Sequence, residues 1–173
     1  MKKTLLQFIM IIPLVILLCF TLSCQQGEEV AEEAKAELDL RPIADKLIEV
    51  FNSQDAAALA QLYTEDQVTI CSGVPEPVRG RKAKEEFVGG FFTAFPDLNM
   101  EPTSVLFADN HIIFEVIMRG TNEGPLEGEI PPTRRSIELN MIFVTRVSAE
   151  GLIEEDRTYY DTAEFMKQLG FME

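Results

Sequence analysis

The chain is poor in the residues that most often carry chemistry in small domains. It has one histidine, His111, and three cysteines, Cys19, Cys24 and Cys71. His111 has no companion in the sequence that would complete a Ser-His-Asp or Cys-His arrangement, which leaves Cys71 an unpromising nucleophile. With Cys19 and Cys24 in the amino-terminal apolar segment, His111 and Cys71 alone cannot supply the four nitrogen and sulfur ligands usual for zinc. The carboxylates show no calcium-loop spacing, so no metal site is expected. A glycine-rich phosphate cradle and a nucleotide fingerprint are also missing, and no cofactor is expected. Basic residues are scarce: 15 Lys and Arg stand against 29 Asp and Glu, a formal net charge of −14. Such a surface repels phosphate backbones and anionic headgroups. Nucleic acid is therefore excluded as a partner, and a basic patch cannot hold the chain to a membrane.

What is present begins with the amino terminus. Lys2 and Lys3 precede an apolar run from Phe8 to Phe20, and Thr21-Leu22-Ser23-Cys24 follows. No charge occurs between Lys3 and Glu28. The pattern resembles a bacterial lipoprotein signal, residues 1–23, with Cys24 as the acylated first residue of the mature protein. The other reading is an uncleaved anchor, since Leu5 to Leu22 nearly suffices to span a bilayer, with Pro13 against it. Loss of Lys2 and Lys3 would take the charge from −14 to −16. Cys71 would then be the only thiol left, so no internal disulfide is expected and the fold must stand on its core. Residues 24–40 read as an acidic tether with little to bury, containing Glu28, Glu29, Glu32, Glu33, Glu37 and Asp39. The expectation is an exported, membrane-anchored protein of a bacterial cell envelope.

A folded domain is expected over residues 41–173. Pro42 suits a first helical turn, and Ile43, Leu47, Val50 and Phe51 form one stripe. Asn52-Ser53-Gln54-Asp55 breaks that helix and offers caps for a second, which carries Leu59, Leu62 and Tyr63. Val68 to Cys71 reads as a short strand, and Gly73 to Gly80 as a loop. Arg81 to Phe95 reads as a third helix, stopped by Pro96. The period then becomes alternating. Strands are expected over Met100 to Phe107, over a run holding Ile112, Phe114, Val116 and Met118, over a run from Ile137 to Val147, and over Leu152 to Tyr160. A short helix with Phe165 and Leu169 closes the chain. The expected fold class is α+β: a cone-shaped curved antiparallel sheet, three amino-terminal helices on its concave face and a short carboxy-terminal helix. The mouth of such a cone is a natural pocket for a small molecule.

The motifs that carry a family pattern are the Asn52–Asp55 break, Phe95-Pro96-Asp97-Leu98, Gly120-Thr121, Pro131-Pro132-Thr133, the Gly151 turn, and Tyr160-Asp161 through Gln168-Leu169-Gly170. In this order and spacing, from Ile43 to Gly170, the chain resembles the SnoaL-like polyketide cyclases and related ester-cyclase-type proteins, with the nuclear transport factor two-like fold. The resemblance implies intramolecular aldol chemistry with an aspartate as general acid/base and no cofactor, and it puts Asp161 in that role. Two positions depart from the family. Gly120-Thr121-Asn122 stands where members often have Gly-Thr-His, and Asn122 cannot shuttle a proton near neutral pH. Pro132-Thr133-Arg134 replaces Pro-Thr-Gly.

Asp161 could be a base in an apolar pocket or simply a helix cap. Glu155, Arg157, Tyr159 and Asp161 share one face of a regular strand; Leu152, Glu154, Asp156, Thr158 and Tyr160 share the other, and neither is the more apolar. The family pattern favours the Asp161 face as the pocket wall. The candidate set is therefore Asp161 as catalytic residue, with Tyr63, Phe91, Asn122, Arg157 and Tyr159 as substrate-binding residues. The Phe87, Phe91, Phe92 and Phe95 set reads as core or as a stacking wall. Two readings stay open: a tethered domain that binds a small apolar or amphipathic molecule in its cone, with cofactor-independent cyclase or isomerase chemistry if it is an enzyme, or a non-catalytic module that pairs with a second copy through the sheet.

Overall fold

The computed structural model describes residues 38–126 and 130–173. The segment expected to be a signal, Cys24 and the expected tether up to residue 37 lie outside the described residues. Among the described residues, no helix is long and apolar enough to cross a membrane.

Helix α1 spans Arg41–Asn52 and buries Ala44, Leu47 and Val50 on one stripe. Pro42 sits in its first turn, where a missing N–H costs nothing. Asn52 ends it and locks it to the sheet. Its side-chain amide donates to the Met100 carbonyl at 2.9 Å and its oxygen accepts from the Met100 amide at 2.8 Å. Gln54 adds a bond to the Leu98 carbonyl at 3.0 Å. Helix α2, Ala56–Ala60, starts from the Asp55 carboxylate, which accepts from the Ala58 amide at 2.8 Å.

Helix α2 stops earlier than its composition predicts. Leu62 and Tyr63 leave the helix, and Tyr63 opens strand β1, Tyr63–Cys71. Pairing explains the change, because the Leu62 carbonyl accepts from the Ile153 amide at 2.8 Å. A ladder bond to a distant strand outweighs a weak local helical preference. Strand β2, Val78–Arg79, lies inside the stretch expected to be loop and pairs with Val68 and Thr69 of β1.

Helix α3, Arg81–Ala94, follows Gly80, whose φ of +87° suits glycine. Then come β3 (Asn99–Ala108), β4 (His111–Thr121), β5 (Ser136–Val147), β6 (Ile153–Tyr160) and α4 (Thr162–Leu169). Gly170 ends α4 in the left-handed conformation, φ +84°.

The six strands form one curved sheet in the order β2-β1-β6-β5-β4-β3, and the fold is α+β. The expectation of a wholly antiparallel sheet is corrected: β1 runs parallel to β6. A parallel neighbour needs a long crossover, and here α3 and the β3–β5 meander intervene before β6 returns beside β1. Alternation along β4 and β5 turns Ile112, Phe114, Val116 and Met118, and Ile137 and Leu139, to one side. They share a single core with Leu47 and Val50 of α1 and Val88 and Phe92 of α3.

Candidate functional site

Between α1, α3 and the inner face of the sheet lies a cavity of about 110 Å³. One water needs roughly 10–15 Å³ by this kind of measure, so the space is large enough for more than one solvent molecule. Its wall is almost wholly apolar, built from side chains such as Phe51, Phe91, Leu139, Met141 and Phe143. Into it project a few polar groups, chiefly Tyr63, Thr69, Lys84 and Asp156.

These groups come from three elements, and Thr145 joins them from a fourth. Lys84 occupies the buried stripe of α3 with Val88 and Phe92, at i, i+4 and i+8, a position the helical period reserves for core. Tyr63 and Thr69 come from the inner face of β1. Asp156 is on β6 and Thr145 on β5, paired across the ladder. All five side chains belong to residues no more than 5 % exposed.

A closed hydrogen-bond cluster results. Lys84 Nζ donates to Asp156 Oδ2 at 3.0 Å and to Thr69 Oγ1 at 3.1 Å. The Tyr63 hydroxyl donates to Asp156 Oδ2 at 3.1 Å, and Thr145 Oγ1 donates to Asp156 Oδ1 at 3.0 Å. Thr69 in turn donates to Gln67 Oε1 at 2.9 Å. The ammonium also lies 4.5 Å from the centre of the Tyr63 ring. Taking two charges out of water costs several kcal/mol per ion unless geometry and further hydrogen bonds compensate. Here the carboxylate has three donors and the ammonium two acceptors and a ring face. Burial holds the Tyr63 phenol well above its ordinary range, and the charge and hydrogen bond of Asp156 push the same way. Tyr63 is therefore a neutral donor at physiological pH.

The cavity is flanked by Cys71 and Tyr160. Burial pushes the Cys71 thiol up, against lowering by the Gly73 backbone and the Tyr160 hydroxyl. A Cβ at Gly73 would meet the Tyr160 hydroxyl, so a side chain there would push that phenol aside.

The expected site residues divide. Tyr63 and Phe91 line the cavity. Asp161 does not: it is exposed and caps α4, its carboxylate accepting from the Glu164 amide at 3.0 Å. The catalytic role given to Asp161 is corrected accordingly. Arg157 and Tyr159 lie on the outer face of the sheet, with Tyr159 47 % exposed and Arg157 Nε bonded to Glu155 at 2.5 Å. Their assignment to the pocket wall is corrected too, and the inward face carries Asp156, Thr158 and Tyr160. The reason is a register shift in the β5–β6 ladder between Arg146 and Val147. One extra residue turns every following side chain to the opposite face.

Asn122 is buried but outside the cavity, where it pins the loop after β4. Its amide donates to the carbonyls of Ala94 at 3.1 Å and Gly124 at 2.8 Å, and its oxygen accepts from the Thr133 amide at 2.7 Å. Its substrate-binding role is corrected as well.

Sequence reasoning missed Lys84, Asp156, Thr69 and Thr145. One signal was available, a lysine on the apolar stripe of α3. A cation at such a position needs a buried anion.

The family model of the SnoaL-like polyketide cyclases matches residues 42–169. No match was found among curated proteins. Among solved structures, wild-type IdmH, a proposed polyketide cyclase from Streptomyces antibioticus, is 27 % identical, with a TM-score of 0.62 over 75 % of this chain and 96 % of that one. A protein with a ketosteroid isomerase-like fold from Catenulispora acidiphila, in complex with trimethylamine, is 16 % identical, with a TM-score of 0.65 over 75 % and 93 % of the two chains. TsrD from Streptomyces laurentii is 18 % identical, with a TM-score of 0.66 over 78 % and 98 %.

Proposed function

This chain belongs to the SnoaL-like polyketide cyclase family, and on that premise we propose that its cavity binds a small apolar or amphipathic molecule and performs cofactor-independent acid/base chemistry of the cyclase or isomerase type. One observation carries the reading: an apolar cavity whose polar groups converge on Asp156. Core residues with no ligand to meet need no ion pair, because apolar side chains of similar volume pack as well or better. Asp156 takes the acid/base role in place of Asp161. The carboxylate keeps one acceptor position on Oδ1 beyond its bond from Thr145, and three donors hold it in place. Lys84 supplies positive charge where negative charge would develop on a substrate oxygen. The phenylalanine-rich wall excludes water and strengthens both effects. Mass spectrometry of molecules retained by the purified chain is the test, together with fluorescence titration with naphthalene. The expected result is a retained apolar compound with an oxygen function, or naphthalene uptake in one equivalent. A chain that retains nothing and takes up no naphthalene defeats the reading.

The amino-terminal pattern extends the proposal to a lipoprotein tethered to the membrane through Cys24. The intact mass of the protein from a bacterial envelope decides it, and an unmodified chain starting at Met1 overturns the tether.

A second reading, an interaction module, is favoured by the outer face of the sheet. Ile70, Ile142 and Tyr159 are 38 %, 42 % and 47 % exposed there, and Ile142 pairs directly with Tyr159. Two copies meeting through this face would sediment as a dimer, and Ile142→Asp would shift them to monomer. A wild-type chain that is monomeric at high concentration removes this reading.

A further inference from the structure

Lys84 is the one residue of the cavity cluster that the acid/base reading uses only as a charge, yet its surroundings suit it to more. A lysine amine attacks carbonyl carbons when an apolar pocket and a neighbouring base help it lose a proton. Lys84 Nζ lines the apolar cavity and stands 3.0 Å from Asp156 Oδ2, a direct route for that proton. The Tyr63 hydroxyl, on the same carboxylate oxygen at 3.1 Å, is a second proton carrier beside it.

From this juxtaposition of Lys84, Asp156 and Tyr63 in one apolar cavity, we propose that Lys84 captures apolar aldehydes and ketones covalently, as an iminium. The inference rests on the reading of the cavity as a ligand site and names its substrate class. Lys84 passes one proton to Asp156, and its lone pair forms a bond to the carbonyl carbon. The carbonyl oxygen takes up protons from the nitrogen and from the Asp156–Tyr63 pair and leaves as water. The sum is ammonium plus carbonyl giving iminium plus water, with no oxidant or reductant and no change of charge. The iminium retains one N–H for Asp156, so the ion pair that the cavity already stabilises survives the reaction. An iminium acidifies the neighbouring C–H, the bond that an aldol-type ring closure must break, and Asp156 is at hand to accept that proton.

The test uses the purified full-length chain, 2-naphthaldehyde as probe, and cyanoborohydride to fix any iminium as a stable amine. Peptide mass spectrometry then locates the added mass. The expected result is labelling of Lys84 at least tenfold above the exposed Lys46, Lys82 and Lys167, suppression by excess naphthalene, and loss of the label in Lys84→Arg. The wild-type experiment needs no variant, so a poorly folding substitution does not blunt it. Labelling confined to exposed lysines, while naphthalene binds in one equivalent, overturns the covalent step and leaves the cavity reading standing. A chain that takes up no naphthalene, retains no compound and leaves Lys84 unlabelled overturns both.

Discussion

Asp161 and Asp156 are five positions apart and have opposite fates. Asp161 follows a strand and precedes a helix, where a carboxylate accepts a helical amide from the solvent side. Asp156 is enclosed, with a cation and two hydroxyls on its oxygens. Replacing Asp161 by Ala should cost about 1 kcal/mol, as N-cap losses do, and leave naphthalene binding unchanged; urea denaturation and titration check this. Replacing Asp156 by Ala should cost about 3–5 kcal/mol, because it strands the Lys84 charge in an apolar cavity. The double replacement Lys84→Met with Asp156→Leu should recover most of that loss, since no buried charge remains. A double variant as unstable as the single one would show that the ion pair is not what the single replacement breaks.

At the scale of elements, the helices and long strands were legible because their periods are strong. Leu47 and Val50 in α1 and the alternating runs of β4 and β5 fall where the sequence puts them. The start of β1 was not legible, because Leu59, Leu62 and Tyr63 fit a helix until Ile153 claims the Leu62 carbonyl. The face of β6 was not legible either. Both its faces are mixed in polarity, and the shift at Arg146 and Val147 resets the alternation. The loop after β4 shows the same limit. Asn122 looks like a degraded catalytic position, but its three hydrogen bonds make it the clasp between the end of α3 and the strand of chain leading to β5. Asn122→Ala should cost roughly 1–3 kcal/mol per buried partner left unsatisfied. Hydrogen exchange should rise first at the Thr133 amide, and a variant with wild-type stability would refute the clasp.

Across the whole molecule, stability should depend on alkaline pH through Tyr63. Folding keeps this phenol protonated well above its usual range, by burial first and then by Asp156. Its contribution is complete below about pH 10, where a phenol in the unfolded chain ionises. It is lost as pH rises from there through the raised folded value. Thermal melts between pH 8 and 11 should show a steeper alkaline fall for the wild type than for Tyr63→Phe, with parallel curves as the refuting result. The same enclosure governs function at this scale. The cavity is the space left where α1 and α3 meet the curved sheet, so any change that flattens the sheet or shifts α3 moves Lys84 away from Asp156.

The amino-acid sequence by itself determined the acidic surface, the α+β class and the family pattern from Ile43 to Gly170. These rest on composition, period and local turn chemistry, all of which are short-range. Only the tertiary structure decided which aspartate is enclosed and that Lys84 is its partner. Their meeting spans 72 residues and depends on the parallel return of β6 beside β1 and on one register shift. Neither leaves a mark in local sequence, because strand pairing is settled by contacts between distant segments rather than by the residues of either strand alone.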